Sequence, residues 1–174
     1  MIKLIWRKKK TRLHQRLDFD LENGQVFDGP RRYLIMRPDV LMGAFDHLEP
    51  DIRLKALEAL GYSVTRHGGQ SVQSYLEEVG VDSLLATMVE NSASLGWGRW
   101  SFVQHDDQLS LEVRNSPFAY GSQQSEKPVC HAISGMLRAV AEAIYSRPCK
   151  ATEIRCACQE KTSDLMCFFK VQKN

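Results

Sequence analysis

The spacing of apolar positions changes along this chain, and each change marks an element. Over residues 38–48, Val40, Leu41, Ala44, Phe45 and Leu48 recur at helical spacing, with Pro38 placed to open the helix. Pro50-Asp51 interrupts the pattern, and a second helix over about 52–60 is expected to stop at Gly61. "TRHGGQSV" reads as a further break, followed by a third helix over about 71–79. Asp82 or Ser83 caps a fourth, with Leu84, Leu85, Met88, Val89 and Leu95 as its apolar positions. The period then shortens to two. "RWSFVQHDDQLSLEV" reads as two strands joined at Asp106-Asp107-Gln108, and "NSPFAYGSQQSEK" as a loop. Helical spacing returns from Pro128 to about Tyr145, where Val129, Ile133, Leu137, Val140, Ala141 and Ile144 share one face. Two last strands follow, at about 151–155 and 166–171. Near the start, "LENGQVFDGPRRYLIMRP" reads as a hairpin, with Asn23-Gly24 and Asp28-Gly29 as turn signals and strands at 26–27 and 33–36. Strands, a helical block, strands, a helix and strands again predict an α+β fold, with an antiparallel sheet packed against a helical layer.

Composition adds boundaries. The 174 residues suit one domain with a real core, and 43% hydrophobic with 25% charged residues argues against disorder. No apolar run approaches the roughly 18 residues of a membrane span. A net charge of +2 does not imply a nucleic-acid partner. The charge is concentrated instead in Lys3, Arg7, Lys8, Lys9, Lys10, Arg12 and Arg16, which define a basic arm over 1–17 ahead of a single domain over 18–174. A solvated arm is the plain reading, and contact with an acidic surface the sharper one. The short apolar start followed by basic residues reverses the order of a secretory signal. Five cysteines, an odd number, then point to a reducing cytoplasm without structural disulfides.

Four of those cysteines raise the question of chemistry. Cys130 lies at the start of the last predicted helix, where amide dipoles lower a thiol pKa. Cys156, Cys158 and Cys167 lie in "EIRCACQEKTSDLMCFF". If that helix packs on the terminal hairpin, Cys130, Glu153, Cys156 and Cys167 converge, and three thiolates with one carboxylate suit tetrahedral zinc. Buried cysteines that merely fill a core remain the alternative. Glu153 and Cys156 fall on opposite faces of a regular strand, so a shared site needs a bend or a strand end between them. A Cys130–His131 dyad is excluded, because adjacent helical residues point about 100° apart.

"RRYLIMRPDVLMGAF", "ASLGWGRWSF", "NSPFA" followed by "PVC", and the ending quoted above together resemble the 4-vinyl reductase, or hydrocarbon-binding, domain family. That family includes sensor domains of phenol- and xylene-responsive activators. The resemblance implies a metal site in which Cys130, Glu153 and Cys156 match a zinc-binding pattern residue by residue. Cys167 matches in kind across a longer loop, and Cys158 is its alternative. Four ligands would make the zinc a structural staple between helix and hairpin. The resemblance further implies an apolar ligand pocket, for which Trp97, Trp100, Phe102, His105, Phe118, Tyr120 and Tyr145 are the candidate lining. The Trp-His pair of phenol sensors is not matched, since "LEVRNSPF" places Val113 and Arg114 there. With no dinucleotide fingerprint or nucleophile motif, the chain is expected not to be an enzyme. The expectation is a cytoplasmic, homodimeric sensor or carrier for a small hydrophobic or aromatic molecule, signalling to a separate effector. A protein-interaction scaffold with a filled pocket, or an accessory factor in tetrapyrrole biosynthesis, are the alternatives.

Overall fold

The computed structural model describes residues 12–105, 108–159 and 166–173. Most of the expected basic arm, the Asp106-Asp107 turn and part of the loop before Cys167 lie outside them. The chain divides into two compact units, residues 1–35 and 36–174.

In the first unit, a short helix α1 (Leu13–Arg16) precedes an antiparallel sheet of β1 (Asp18–Asp20), β2 (Gln25–Asp28) and β3 (Arg31–Tyr33). Arg16 makes a forked pair with Asp28, at 3.2 and 3.0 Å. The expected hairpin is therefore one strand larger. β1 carries a single apolar residue, Phe19, which leaves too little alternation to read. The expected strand over 33–36 ends at Tyr33. The pairing of β2 with β3 ends at Val26 and Tyr33, and Leu34 and Ile35 beyond it are exposed.

The second unit is α+β. α2 (Pro38–Asp46) and α3 (Pro50–Ser63) both begin on a proline at the first helical position, where its missing N–H costs nothing. α4 (Gly69–Val79) and α5 (Val81–Ser94) are separated by Gly80, whose φ of +75° few other residues adopt. The sheet runs β4-β5-β7-β6, antiparallel throughout, from β4 (Arg99–His105), β5 (Gln108–Arg114), β6 (Cys149–Arg155) and β7 (Met166–Lys173). α6 (Pro117–Gly121) is a single turn inside the expected loop, capped by the Ser116 side chain. α7 (His131–Tyr145) packs on β6 and β7 on one side and on α3 and α4 on the other. Its fully buried Ile133, Leu137, Val140 and Ala141 join Leu111, Val113 and Phe169 of the sheet in the core.

The helical block differs from expectation at its glycines. The stop at Gly61 and the break at "TRHGGQSV" are absent. The chain stays helical from Pro50 to Val79 through a π-helical turn at Val64–Gly68. The glycines serve contact instead of termination. A Cβ on Gly61 would meet the His131 carbonyl oxygen at 2.6 Å, and one on Gly135 would meet the Gly61 carbonyl oxygen at 2.0 Å. Two helices cross here with their backbones touching. Thr65 Oγ1 joins them, donating toward the carbonyls of Gly61 (3.1 Å) and Gly135 (2.9 Å).

Candidate metal centre

The N-terminal end of α7 is pinned where the sheet ends. Cys130 is the residue before the helix, not a member of its first turn, and its backbone N–H donates to Glu153 Oε2 at 2.8 Å. Glu153 projects from β6. Between Glu153 and Arg155 the pairing with β7 slips by one residue, Glu153 facing Phe169 and Arg155 facing Phe168. This is the bend the sequence required. The slip leaves Ile154 unpaired and half exposed, and β6 ends at Arg155, so Cys156 turns back toward the side of Glu153. Cys167 sits in β7, opposite Val113 of β5.

These elements bring four donors together. One ligand atom from each of Cys130, Glu153, Cys156 and Cys167 lies within 4.8 Å of every other, and all four residues are buried. The sulfurs are 3.7 Å (Cys130–Cys156), 3.8 Å (Cys130–Cys167) and 4.0 Å (Cys156–Cys167) apart. A tetrahedral ion with metal–sulfur bonds of about 2.3 Å separates its sulfurs by about 3.8 Å. Glu153 Oε1 is buried without a hydrogen-bond partner among the described residues. A buried carboxylate oxygen in that condition costs free energy unless a cation or proton meets it.

The electrostatics point the same way. Burial, with the charge of Cys156 second, pushes the Glu153 carboxyl up to about 9. Burial also pushes the Cys130 thiol well above its ordinary value. The expected lowering by the helix dipole is thereby overturned, because desolvation of a buried thiol outweighs a screened terminal dipole. Cys156 goes the other way, stabilised as a thiolate by hydrogen bonds from Cys130, then Cys158 and Cys167. Four acids this close cannot all ionise without a cation. A divalent metal would supply the missing charge and release the remaining protons.

Neighbouring groups orient the donors. Ser116 Oγ lies 3.2 Å from Cys130 Sγ while accepting the Ala119 N–H, so its hydroxyl hydrogen is free for the sulfur. The Ala157 N–H donates to Cys167 Sγ at 3.3 Å. Sequence reading gave Ser116 no role, although Ser-Pro before a short apolar run is a helix-start signal. Of the remaining cysteines, Cys158 Sγ lies 3.3 Å from Cys156 Sγ. Cys149 is buried at the start of β6 and turns its thiol toward the Arg147 carbonyl.

The candidate pocket residues are placed differently. Trp97 and Phe118 meet edge to face at 5.2 Å, and Trp100 and Phe102 at 5.9 Å. Trp100 donates its indole N–H to the Trp97 carbonyl. Trp100 and Phe118 are buried, Tyr120 is exposed, and the Lys173 ammonium lies 4.0 Å from the Tyr145 ring centre. His105 is the last residue of β4. Val113 is buried and Arg114 exposed. A cleft of about 210 Å³ has Tyr120 in its wall, with Pro38, Asn115 and Ala157. Two clefts of about 360 Å³ each share Leu54, Lys127 and Pro128 and include none of the six aromatic candidates. One of them reaches Glu153 and holds Glu58, His131 and Lys150 as well.

Residues 109–173 match the vinyl-4-reductase domain. That agrees with the family read from the sequence motifs, and all four clustered donors fall inside the matched segment. No curated protein matches the chain. Among solved structures, the phenol-responsive sensory domain of the transcription activator PoxR, determined with phenol, superposes with a TM-score of 0.73. The two are 13% identical, over 92% of this chain and 86% of that one. A vinyl-4-reductase family protein from Methanocaldococcus jannaschii gives a TM-score of 0.52 at 15% identity, over 82% of this chain and 98% of that one. At such identities the likeness is one of fold. Among the described residues, no helix is long and apolar enough to cross a membrane.

Proposed function

We propose that this chain is a small-molecule sensor or carrier domain, spanning residues 18–174, whose last helix and terminal hairpin are tied by a structural zinc. The observation that carries the metal half is the buried cluster of Cys130, Glu153, Cys156 and Cys167, with sulfur spacings that suit a tetrahedral ion. Zinc, when bound, supplies a cross-link between α7, the end of β6 and β7. Four protein donors leave no position for a reacting water, so the centre serves the fold and not catalysis. The sensor half is supported by the fold shared with a phenol-responsive sensory domain over 92% of this chain. We place the protein in the cytoplasm as a homodimer. The ligand class is a small hydrophobic or aromatic molecule.

A second reading has its own support. Four of the aromatics expected to line a pocket pack on one another in pairs, as they would in a scaffold whose pocket has closed. Thermal melting of the full chain with phenols, alkylbenzenes and fatty acids separates the two. A saturable rise in melting temperature with any of them supports the sensor. Unchanged melting across the panel would put the scaffold ahead.

A further inference from the structure

The four-donor cluster leaves one thiol beside it. Cys158 Sγ is 3.3 Å from Cys156 Sγ, closer than any two of the clustered sulfurs, which are 3.7 to 4.0 Å apart. It is also placed differently with respect to solvent. Cys130, Cys156 and Cys167 are 0% exposed, whereas Cys158 is only partly buried. At 3.3 Å from Cys156 it stands too near to share a tetrahedral ion whose sulfurs sit about 3.8 Å apart. It is near enough that a side-chain movement of roughly 1 Å reaches the disulfide bond length of about 2.05 Å.

We propose that Cys158 is an oxidation site through which peroxide draws Cys156 out of the metal shell as a Cys156–Cys158 disulfide. Hydrogen peroxide is the oxidant. Its O–O bond breaks and accepts two electrons, the S–S bond forms, and the Cys158 thiol proton goes to one of the oxygens. The Cys156 thiolate, the Cys158 thiol and peroxide thus become a disulfide, one water and one hydroxide. A disulfide sulfur is no longer a thiolate ligand, so Cys130, Glu153 and Cys167 alone face the ion and it leaves. The backbone around the pair is tied to the segment before α7. The Ser125 N–H donates to the Cys158 carbonyl, Gln159 Nε2 donates to the Glu126 carbonyl, and Gln159 Oε1 accepts the Cys156 N–H. Ser125 and Glu126 form part of the wall of one larger cleft. Oxidation at Cys158 therefore acts on a turn clipped to that cleft.

Metal release rests on the zinc reading above; formation of the disulfide does not. The test exposes the full chain to hydrogen peroxide, follows zinc with a chromophoric chelator, and maps the cysteines by non-reducing mass spectrometry. Cleavage after Arg155 and Lys161 leaves Cys156 and Cys158 in one peptide, so their disulfide reads as the loss of two hydrogens from that peptide. The expected result is that loss, appearing together with zinc release, and retention of zinc by Cys158→Ser and Cys158→Ala over the same exposure. Zinc release from both variants at the wild-type rate overturns the proposal, as does a disulfide joining any other pair. Should the purified chain carry no zinc, the metal reading fails, and the peptide map still decides whether Cys158 is the oxidation site.

Discussion

Gly135 has no room for a methyl group. Its Cβ would stand 2.0 Å from the Gly61 carbonyl oxygen, which belongs to the backbone of another helix and cannot swing aside. Alanine gains about 1 kcal/mol over glycine within a helix, but overpacking a rigid contact costs about 3 kcal/mol or more. Gly135→Ala should therefore destabilise strongly in a urea melt. Gly43→Ala, where nothing lies within 4 Å, should stabilise by up to about 1 kcal/mol. Glu153 carries a second prediction at this scale. In metal-free protein its folded pKa stands at about 9 against an ordinary value of 4.5, so the folded state holds the proton more tightly than the unfolded state. Its stabilising effect is full below about pH 4.5 and is lost as pH rises toward 9. In chelator, wild-type protein should lose stability across that window relative to Glu153→Gln, and parallel pH profiles for the two would contradict the assignment. With metal bound the sign reverses, since acid protonates the ligands and weakens binding.

At the scale of elements, most of the architecture was readable because its signals are local. Proline at 38 and the apolar face from Val129 to Ile144 marked helices that the structure has, whereas Pro50, read as an interruption, is the first residue of α3. The alternation on either side of 106–107 and at 166–171 marked strands. The site needed a bend between Glu153 and Cys156, and the slipped register at Ile154 supplies it. The errors in the helical block share one cause. Gly61, Gly68 and Gly69 read as breaks because an isolated glycine usually ends a helix. Whether it marks an end or a close crossing depends on a partner some 70 residues away, which no local pattern reveals. Cys130 was misread for a related reason: the dipole is visible in sequence, and the burial that outweighs it is not. Thr65 tests the crossing itself. Its hydroxyl reaches carbonyls on both helices, so Thr65→Val should cost about 1 kcal/mol in chemical denaturation. A neutral substitution would mean that the glycine contact alone holds the helices.

At the scale of the whole molecule, the last helix is the organising element. It lies between the sheet on one side and α3 and α4 on the other, and the four clustered donors hold its first residues to the ends of β6 and β7. Clustering of those donors followed from motif spacing combined with the fold. The aromatic candidates carry less information, because aromatic residues in a sequence look the same whether they line a cavity or close it, and here two pairs pack together. A metal cross-link at the start of α7 should thus support the whole second unit, so chelation should lower its melting temperature as one cooperative transition. The most direct measurement is native mass spectrometry of the chain purified without added metal, alongside Cys130→Ser and Cys149→Ser. The account predicts one zinc per chain in the wild type and in Cys149→Ser, whose thiol stands apart from the cluster, and loss of zinc in Cys130→Ser. A folded wild-type chain without metal, or a Cys130→Ser chain that keeps its zinc, would contradict it.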